Sequence, residues 1–257
     1  MEFKKSTLKI KPFAEDNVNS IVTRITDLRS VLEFLNNNQL HFSSLSKFRD
    51  YTEGKKFAEF KMGNENTEEK KSVSALIRRK IMYASCWYSG GETLHMWDIY
   101  GKNDKQFAIQ VDLNQLLILG FHSGNFQFKS ASCEAFNQIS KNNKEFRPSS
   151  LHHGFVNYVD LKSNIDYKQQ FIGRFKDQAF SHENEWRILL RQHYIEDTLI
   201  ELDDLKCHFF GHDFSQLKKT IIVSPYANTM QFEELKNQFR SHKNTAIIQS
   251  TFTDLFV

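Results

Sequence analysis

The sequence predicts an α+β fold, one domain with a mixed, mostly antiparallel sheet flanked by helices. Three observations predict it. Short runs rich in β-branched and aromatic residues recur along the chain, mixed with helical spacings but without regular β-α alternation. No Pro/Gly/Ser-rich linker and no internal repeat divides the 257 residues. Residues 18–257 therefore read as a single domain behind a polar lead-in, residues 1–17. Hydrophobic residues make up 40% and charged residues 25%, a balance that allows a buried core.

The elements follow in order. Ser20-Ile21-Val22-Thr23-Arg24-Ile25-Thr26 is β-branched and reads as a first strand. Asp27 is placed to cap a helix over 28–38, with Leu28, Val31, Leu32 and Leu35 at helical spacing and asparagines to end it. A strand over 39–44 leads into a turn-like polar segment, 47–54. Residues 55–74 are charged and predict a mobile loop. Residues 73–80 predict a basic helix, 81–88 a strand, 92–100 a short helix ended by Gly101, and 106–112 a strand. Residues 113–120 predict an apolar helix or turn, 125–129 a strand, 137–150 a surface loop, and 155–160 a strand. Phe171, Phe175 and Ala179 recur at four-residue intervals and predict a helix over 167–180. Residues 195–205 connect to a strand over 217–224, which Pro225 ends. A helix over 230–241 and a strand over 245–252 close the chain.

The richest stretch is His182-Glu183-Asn184-Glu185-Trp186-Arg187-Ile188-Leu189-Leu190. Read as one strand, it puts Asn184, Trp186, Ile188 and Leu190 on a core side. Glu183, Glu185, Arg187 and Leu189 fall on the other, about 7 Å apart in turn. Two carboxylates and a guanidinium in a row make either a stabilising ion ladder or the floor of a polar site.

Composition excludes several classes. A net charge of +3 is too small to imply nucleic acid by itself. Cys86, Cys133 and Cys207 are 3 widely spaced cysteines, which give no disulfide framework and point to a reducing compartment. No apolar run approaches membrane-spanning length, and no apolar signal core follows Met1, so a cytoplasmic protein is expected. The 24 phenylalanines predict an aromatic core. Cys207-His208 with His212, and His152-His153, have zinc-ligand residue types but lack a second pair at zinc spacing. Cys86, inside an aromatic strand, reads as a buried thiol. Lys70-Lys71 with Arg78-Arg79-Lys80 is the strongest basic patch, read as a solvated helix face or a nucleic-acid contact.

Several stretches together resemble a bacterial family of unknown function, DUF2971. They are Leu40-His41-Phe42-Ser43 followed by Phe48, Asp50 and Glu53, and Ser85-Cys86-Trp87-Tyr88-Ser89 followed by Met96-Trp97-Asp98-Ile99-Tyr100. The strand 107–112, Val156-Asn157-Tyr158, Lys176, and Glu183-Asn184-Glu185-Trp186-Arg187 complete them. Arg49 and Tyr51 stand where that family commonly has Asn and Pro. The family implies no activity.

Arg24, Ser43-Ser44 and Glu183-x-Glu185, in that order, are similar to the pattern of ADP-ribosyltransferases, with Ser85 as an alternative second element. That resemblance implies a split sheet and an enzyme using NAD as a substrate, acting on a protein or nucleic-acid target. Association with the families places such an activity in bacterial stress or phage defence. Glu185 would stabilise the positive charge that builds on ribose as nicotinamide leaves. Glu183 would orient or deprotonate an acceptor. Arg187 would hold both carboxylates ionised, and Arg24 would grip a phosphate or ribose. Ser43 or Ser44 would fix its strand, and Trp97 or Tyr100 would stack on nicotinamide. The alternatives are a non-catalytic module binding a nucleotide, nucleic acid or phage component through Arg24 and residues 70–80, and a metal-dependent nuclease built on Asp50, Glu53 and Glu185.

Overall fold

A computed structural model of the chain describes residues 10–12, 21–48, 79, 82–101, 105–117, 125–129, 148–160, 173–192, 206–210 and 214–253. In chain order the elements are β1 (Ile10–Pro12), β2 (Ile21–Asp27), α1 (Leu28–Asn37), β3 (Gln39–Ser44), β4 (Met82–Ser89), α2 (Leu94–Tyr100), β5 (Gln106–Asp112), β6 (Asn125–Lys129), β7 (Pro148–Phe155), β8 (Asn157–Val159), β9 (Phe175–Asp177), β10 (Glu185–Gln192), β11 (Lys206–Phe210), β12 (Lys219–Val223), α3 (Thr229–Phe239) and β13 (Thr245–Gln249).

Local chemistry sets the helix ends. Asp27 accepts the Ser30 N–H at 2.7 Å and starts α1. Asn38, left-handed at φ 51°, ends it by donating its N–H to the Glu33 carbonyl. Thr93 caps α2, and Asn228 and Gln231 form a capping box at the start of α3. The observed helices stop within a few residues of their predicted ends.

Among the described residues, eleven strands form one sheet, in the order β1-β7-β10-β4-β2-β5-β12-β13, with β3, β11 and β6 branching from β4. Its pairings are antiparallel except β1 with β7 and β12 with β13. The latter pair is joined by the crossover helix α3. Strands β8 and β9 pair separately, in parallel. The predicted mixed, mostly antiparallel α+β architecture is what the chain adopts.

The branch has a simple origin. One edge of β4 is covered along its length by β10. The other edge is shared. Val22 and Thr23 of β2 pair with Ser89 and Tyr88, while Ser43 and Ser44 of β3 pair with Ala84 and Tyr83. Ser85, Cys86 and Trp87 lie between these two ladders, where β2 and β3 diverge into a fork.

Directly opposed residues share a sheet face. Trp186, Ile188 and Leu190 of β10 therefore lie with Trp87 and Tyr83 of β4, in the large core that α1 and α3 cover with Val31, Phe34, Leu35 and Phe239. Glu185, Arg187 and Leu189 lie on the opposite face with Tyr88, Cys86 and Ala84. On that face α2 packs Met96 and Trp97 onto Ala108 and Ile222.

Several expectations are corrected. Over 173–180 the predicted helix is absent: Phe175–Asp177 is strand β9, and Gln178–Glu183 is a 3-10 turn whose start Asp177 caps. The four-residue phenylalanine spacing alone did not carry an α-helix. Strand β10 begins at Glu185, because Asn184 is left-handed at φ 40° and breaks the extended run. The 155–160 strand is two, with β7 ending at Phe155 and β8 starting at Asn157. Pro148 to Ser150 belong to β7 and not to a loop. Lys206–Phe210 is a strand, β11, that the sequence reading missed. The predicted loop at 55–74, Asp50, Glu53, Lys70, Lys71, Arg78, Lys80, Cys133 and His212 lie outside the described residues.

Phe34 is 1% exposed and packs 4.8 Å, centroid to centroid, from Phe214. Phe34→Ala is expected to cost about 3–5 kcal/mol of unfolding free energy, read by urea denaturation.

Candidate functional site

Among the described residues, the second sheet face carries a cluster of charged side chains. Glu185 is 7% exposed and Arg187 0%. The two meet in a bidentate pair, with Nε donating to Oε1 at 2.8 Å and Nη2 to Oε2 at 2.7 Å. The remaining Arg187 nitrogen, Nη1, donates to the Gly173 carbonyl at 2.8 Å, and Phe48 lies under the guanidinium at 5.4 Å. Lys176 in β9 donates to Glu183 and stands 3.6 Å from Glu185 Oε2. Two cations thus balance two carboxylates in a nearly dry site.

Two phenols flank the cluster. Tyr158, from β8, accepts the Glu185 N–H at 2.8 Å. Tyr100, the last residue of α2, is 50% exposed and lies within reach of the Glu183 and Glu185 charges. Burial, then the charges of Glu183 and Glu185, push the Tyr100 phenol up. Burial also raises Tyr158, with Glu185 and Glu183 adding to it. Both phenols stay protonated in the physiological range. His95 of α2 meets His182 edge to face at 4.7 Å, so α2 closes against the turn that carries Glu183.

Burial alone would raise the Glu185 pKa. The Arg187 charge and hydrogen bonds, with Lys176 and Cys86, outweigh burial and hold the carboxyl below its ordinary value. Glu185 is therefore an anion at neutral pH despite its burial.

The predicted set divides into two groups. Glu183, Glu185, Arg187 and Tyr100 converge as described. Glu183 does so from a 3-10 turn, and Lys176 bridges it to Glu185. Arg24 belongs to the other group. Through its pairing with Ile109 in β5 it lies on the large-core face, opposite to Glu185. Its Nη1 donates to the His41 carbonyl at 3.1 Å and to Ser85 Oγ at 2.7 Å, and its head lies 5.9 Å from the Trp87 ring. Ser85 also accepts from Trp87 Nε1 at 3.0 Å. Arg24 thereby bridges β2, β3 and β4 at the fork. Burial lowers its pKa, with Cys86 and Asp27 acting the other way.

Ser85, the alternative second element, is the Arg24 partner. Ser43 pairs with Ala84, on the Glu185 face but two register steps along β4 from Tyr88. Ser44 is buried; its Oγ caps the following turn by accepting from the Ser46 N–H and reaches the Arg79 carbonyl. Trp97 is fully buried and donates Nε1 to Glu92 at 2.8 Å, so its ring has no open face for nicotinamide.

The competing expectations fare as follows. Arg79 is 6% exposed and donates to the carbonyls of Leu45 and Phe48, which makes it an internal brace and not part of a solvated basic face. No group of three or more His, Cys, Asp or Glu among the described residues is arranged to hold a metal ion. No described helix is long and apolar enough to cross a membrane.

Sequence reading missed Lys176 and Tyr158 as members of the cluster, although both lie in stretches that carry the DUF2971 resemblance. It also missed Glu92. That carboxylate accepts from Trp97 Nε1, from Ser250 Oγ at 2.7 Å, and from Thr251 N–H and Oγ1 at 2.8 and 2.9 Å. It seats α2, and with it Tyr100.

The family model of the protein of unknown function DUF2971 matches residues 96–188. The matched segment contains Tyr100, Tyr158, Lys176, Glu183, Glu185 and Arg187, and omits β2 and β3. Among solved structures, Thermus sp. 2.9 DarT in complex with carba-NAD+ overlays with a TM-score of 0.33 at 9% identity, covering 93% of this chain and 98% of that one. Thermus sp. 2.9 DarT in complex with NAD+ overlays at 0.35, with the same identity and coverage. Overlays this loose assign no function to this chain. No curated protein matches it.

Because Glu185 is held below its unfolded value of about 4.5, the unfolded chain binds more protons than the folded one as pH falls past that value. The pair's contribution is present above about pH 4.5 and is lost on further acidification through the folded pKa. Urea midpoints measured from pH 7 to pH 3 are expected to fall across this window. Glu185→Gln, less stable at pH 7 by about 3–5 kcal/mol because Arg187 loses its counter-ion, is expected to show a shallower acid slope.

Proposed function

We propose that the protein is an ADP-ribosyltransferase-like enzyme that takes NAD as its substrate. One observation supports this most directly: Glu185 is a buried carboxylate kept ionised by neighbours that are themselves fixed. Loss of nicotinamide builds positive charge on ribose. An anion already oriented in a low-dielectric setting stabilises that charge without reorganising when it forms. Arg187 occupies one lone pair on each Glu185 oxygen and Cys86 takes another, which leaves room for about one bond from a ribose hydroxyl.

In this reading Glu185 faces the reacting sugar. Glu183, tied to Lys176, orients the acceptor or takes its proton. Tyr100, half exposed at the edge, is the aromatic surface available to nicotinamide. Arg24 serves through the fork. Its Nη1 holds β2 to β3 and β4, while its other guanidinium donors have no hydrogen-bond partner among the described residues. Because Arg24 lies on the face opposite Glu185, it supports the strands beside the site and does not contact a ligand held at Glu185. The acceptor is a protein or nucleic acid.

Incubation of the purified protein with NAD+ is expected to release nicotinamide or to transfer labelled ADP-ribose. Glu185→Gln is expected to lower that rate on the order of 10²–10³-fold. Glu185→Asp, which preserves charge balance around Arg187 but withdraws the carboxylate by one methylene, is expected to fold and to be impaired as well. Wild-type protein inert toward NAD+, or a folded Glu185→Gln variant with undiminished rate, would sink the reading.

A further inference from the structure

Tyr158 has no role in the pattern that singled out Arg24, Ser43 and Glu185, yet its side chain contacts the backbone of Glu185 directly. Its Oη accepts the Glu185 N–H at 2.8 Å. A phenol has one proton to give as well as lone pairs to accept with. Among the described residues nothing accepts the Tyr158 proton. The hydroxyl is partly buried, so this donor stands at the wall of the site and not in open solvent. Burial together with the charges of Glu185 and Glu183 keeps the proton on the oxygen.

The neighbouring group is complementary. Glu185 is an anion with about four lone-pair sites on its two oxygens; Arg187 takes two and Cys86 one, with Lys176 3.6 Å away, so about one site is left for a ligand donor. A phenol whose proton has no acceptor among the described residues thus touches the residue whose carboxylate has acceptor capacity left. A sugar hydroxyl is both donor and acceptor, and it satisfies the two at once. A purely apolar ligand satisfies neither, and an anionic one can take the Tyr158 proton but offers Glu185 no donor.

We propose that Tyr158 is a ligand-contacting residue, donating its phenolic proton to a ribose hydroxyl that in turn donates to Glu185. The inference rests on the NAD reading above and adds to it a second sugar-reading group. It assigns the site a preference for nucleotides with an intact ribose over deoxy analogues. The same contact gives Tyr158 its positioning role, because the oxygen that reads the sugar also fixes the Glu185 backbone.

The test is calorimetric binding of carba-NAD+, which resists cleavage, and of its analogue lacking one hydroxyl on the nicotinamide-bearing ring. Wild-type protein is expected to bind the deoxy analogue at least roughly tenfold more weakly, because the missing hydroxyl bridges hydrogen bonds to both Tyr158 and Glu185. Tyr158→Phe is expected to lose about tenfold toward carba-NAD+ and nothing further toward the analogue. Losses that multiply to about a hundredfold mean that Tyr158 and the hydroxyl act independently, and overturn the inference. So does a folded Tyr158→Phe variant with wild-type affinity. Should Tyr158→Phe fail to fold, Tyr158→Gln keeps one acceptor for the Glu185 N–H and one donor for the sugar. Retained discrimination in that variant supports the inference, and equal binding of both probes by wild-type protein overturns it. Wild-type protein that binds neither probe instead defeats the NAD reading itself, and this inference with it.

Discussion

The second face of the sheet depends on one contact, the bidentate pair between Arg187 and Glu185. A guanidinium at 0% exposure has given up its water entirely, and only full use of its hydrogen-bonding fork offsets that loss. Two of its nitrogens take the Glu185 oxygens and the third takes the Gly173 carbonyl. The third bond draws the backbone at 173 close against the sheet. An added Cβ at Gly173 would lie 2.8 Å from Leu45 Cδ1, and the residue sits at φ +87°, so glycine is what lets the chain come that close. The segment thus held leads directly into β9, which supplies Lys176 as the second cation. One pair therefore fixes where the rest of the cluster can stand.

The fork follows from a different requirement. Where β4 changes partner from β2 to β3, three of its residues have no ladder on that edge, and a bare edge exposes unpaired backbone groups. Arg24 fills the gap by donating to the His41 carbonyl, which belongs to the strand that has moved away, and to Ser85 on β4. A planar head with five donors suits a place where strands part. The two arginines act on opposite faces of the same strand, one closing a cluster and one spanning an opening.

Much of this was legible in the sequence, and what was not has physical causes. The alternation from Trp186 to Leu190 gave the two faces of β10, because burial on one side and charge on the other leave a period of two. Capping chemistry announced α1 through Asp27. The strand start at Glu185 was hidden, since an asparagine adopts left-handed and extended backbone alike, and only the chain around it decides. Phe175 and Ala179 were spaced for a helix, yet Phe175 is buried in a strand, where tertiary packing overrode local spacing. Register was the deeper difficulty. Arg24 and Glu185 occur in the expected order, but order along the chain carries no information about sheet face. Ser85 could be preferred to Ser43 only once the fork was known. Tyr158 lay in a short motif with no chemical pattern of its own, so only its contact with Glu185 brought it forward.

Glu92 joins parts of the chain made at very different times. Its carboxylate is satisfied by Ser250 and Thr251, residues 158 and 159 positions later. During synthesis on the ribosome, α2 forms long before those partners leave the exit tunnel. Until they do, the carboxylate has only the Trp97 indole, and the helix bearing Tyr100 lacks its anchor. The edge of the charged cluster is thus finished late, and in a nascent chain α2 stays unanchored until translation has passed Thr251.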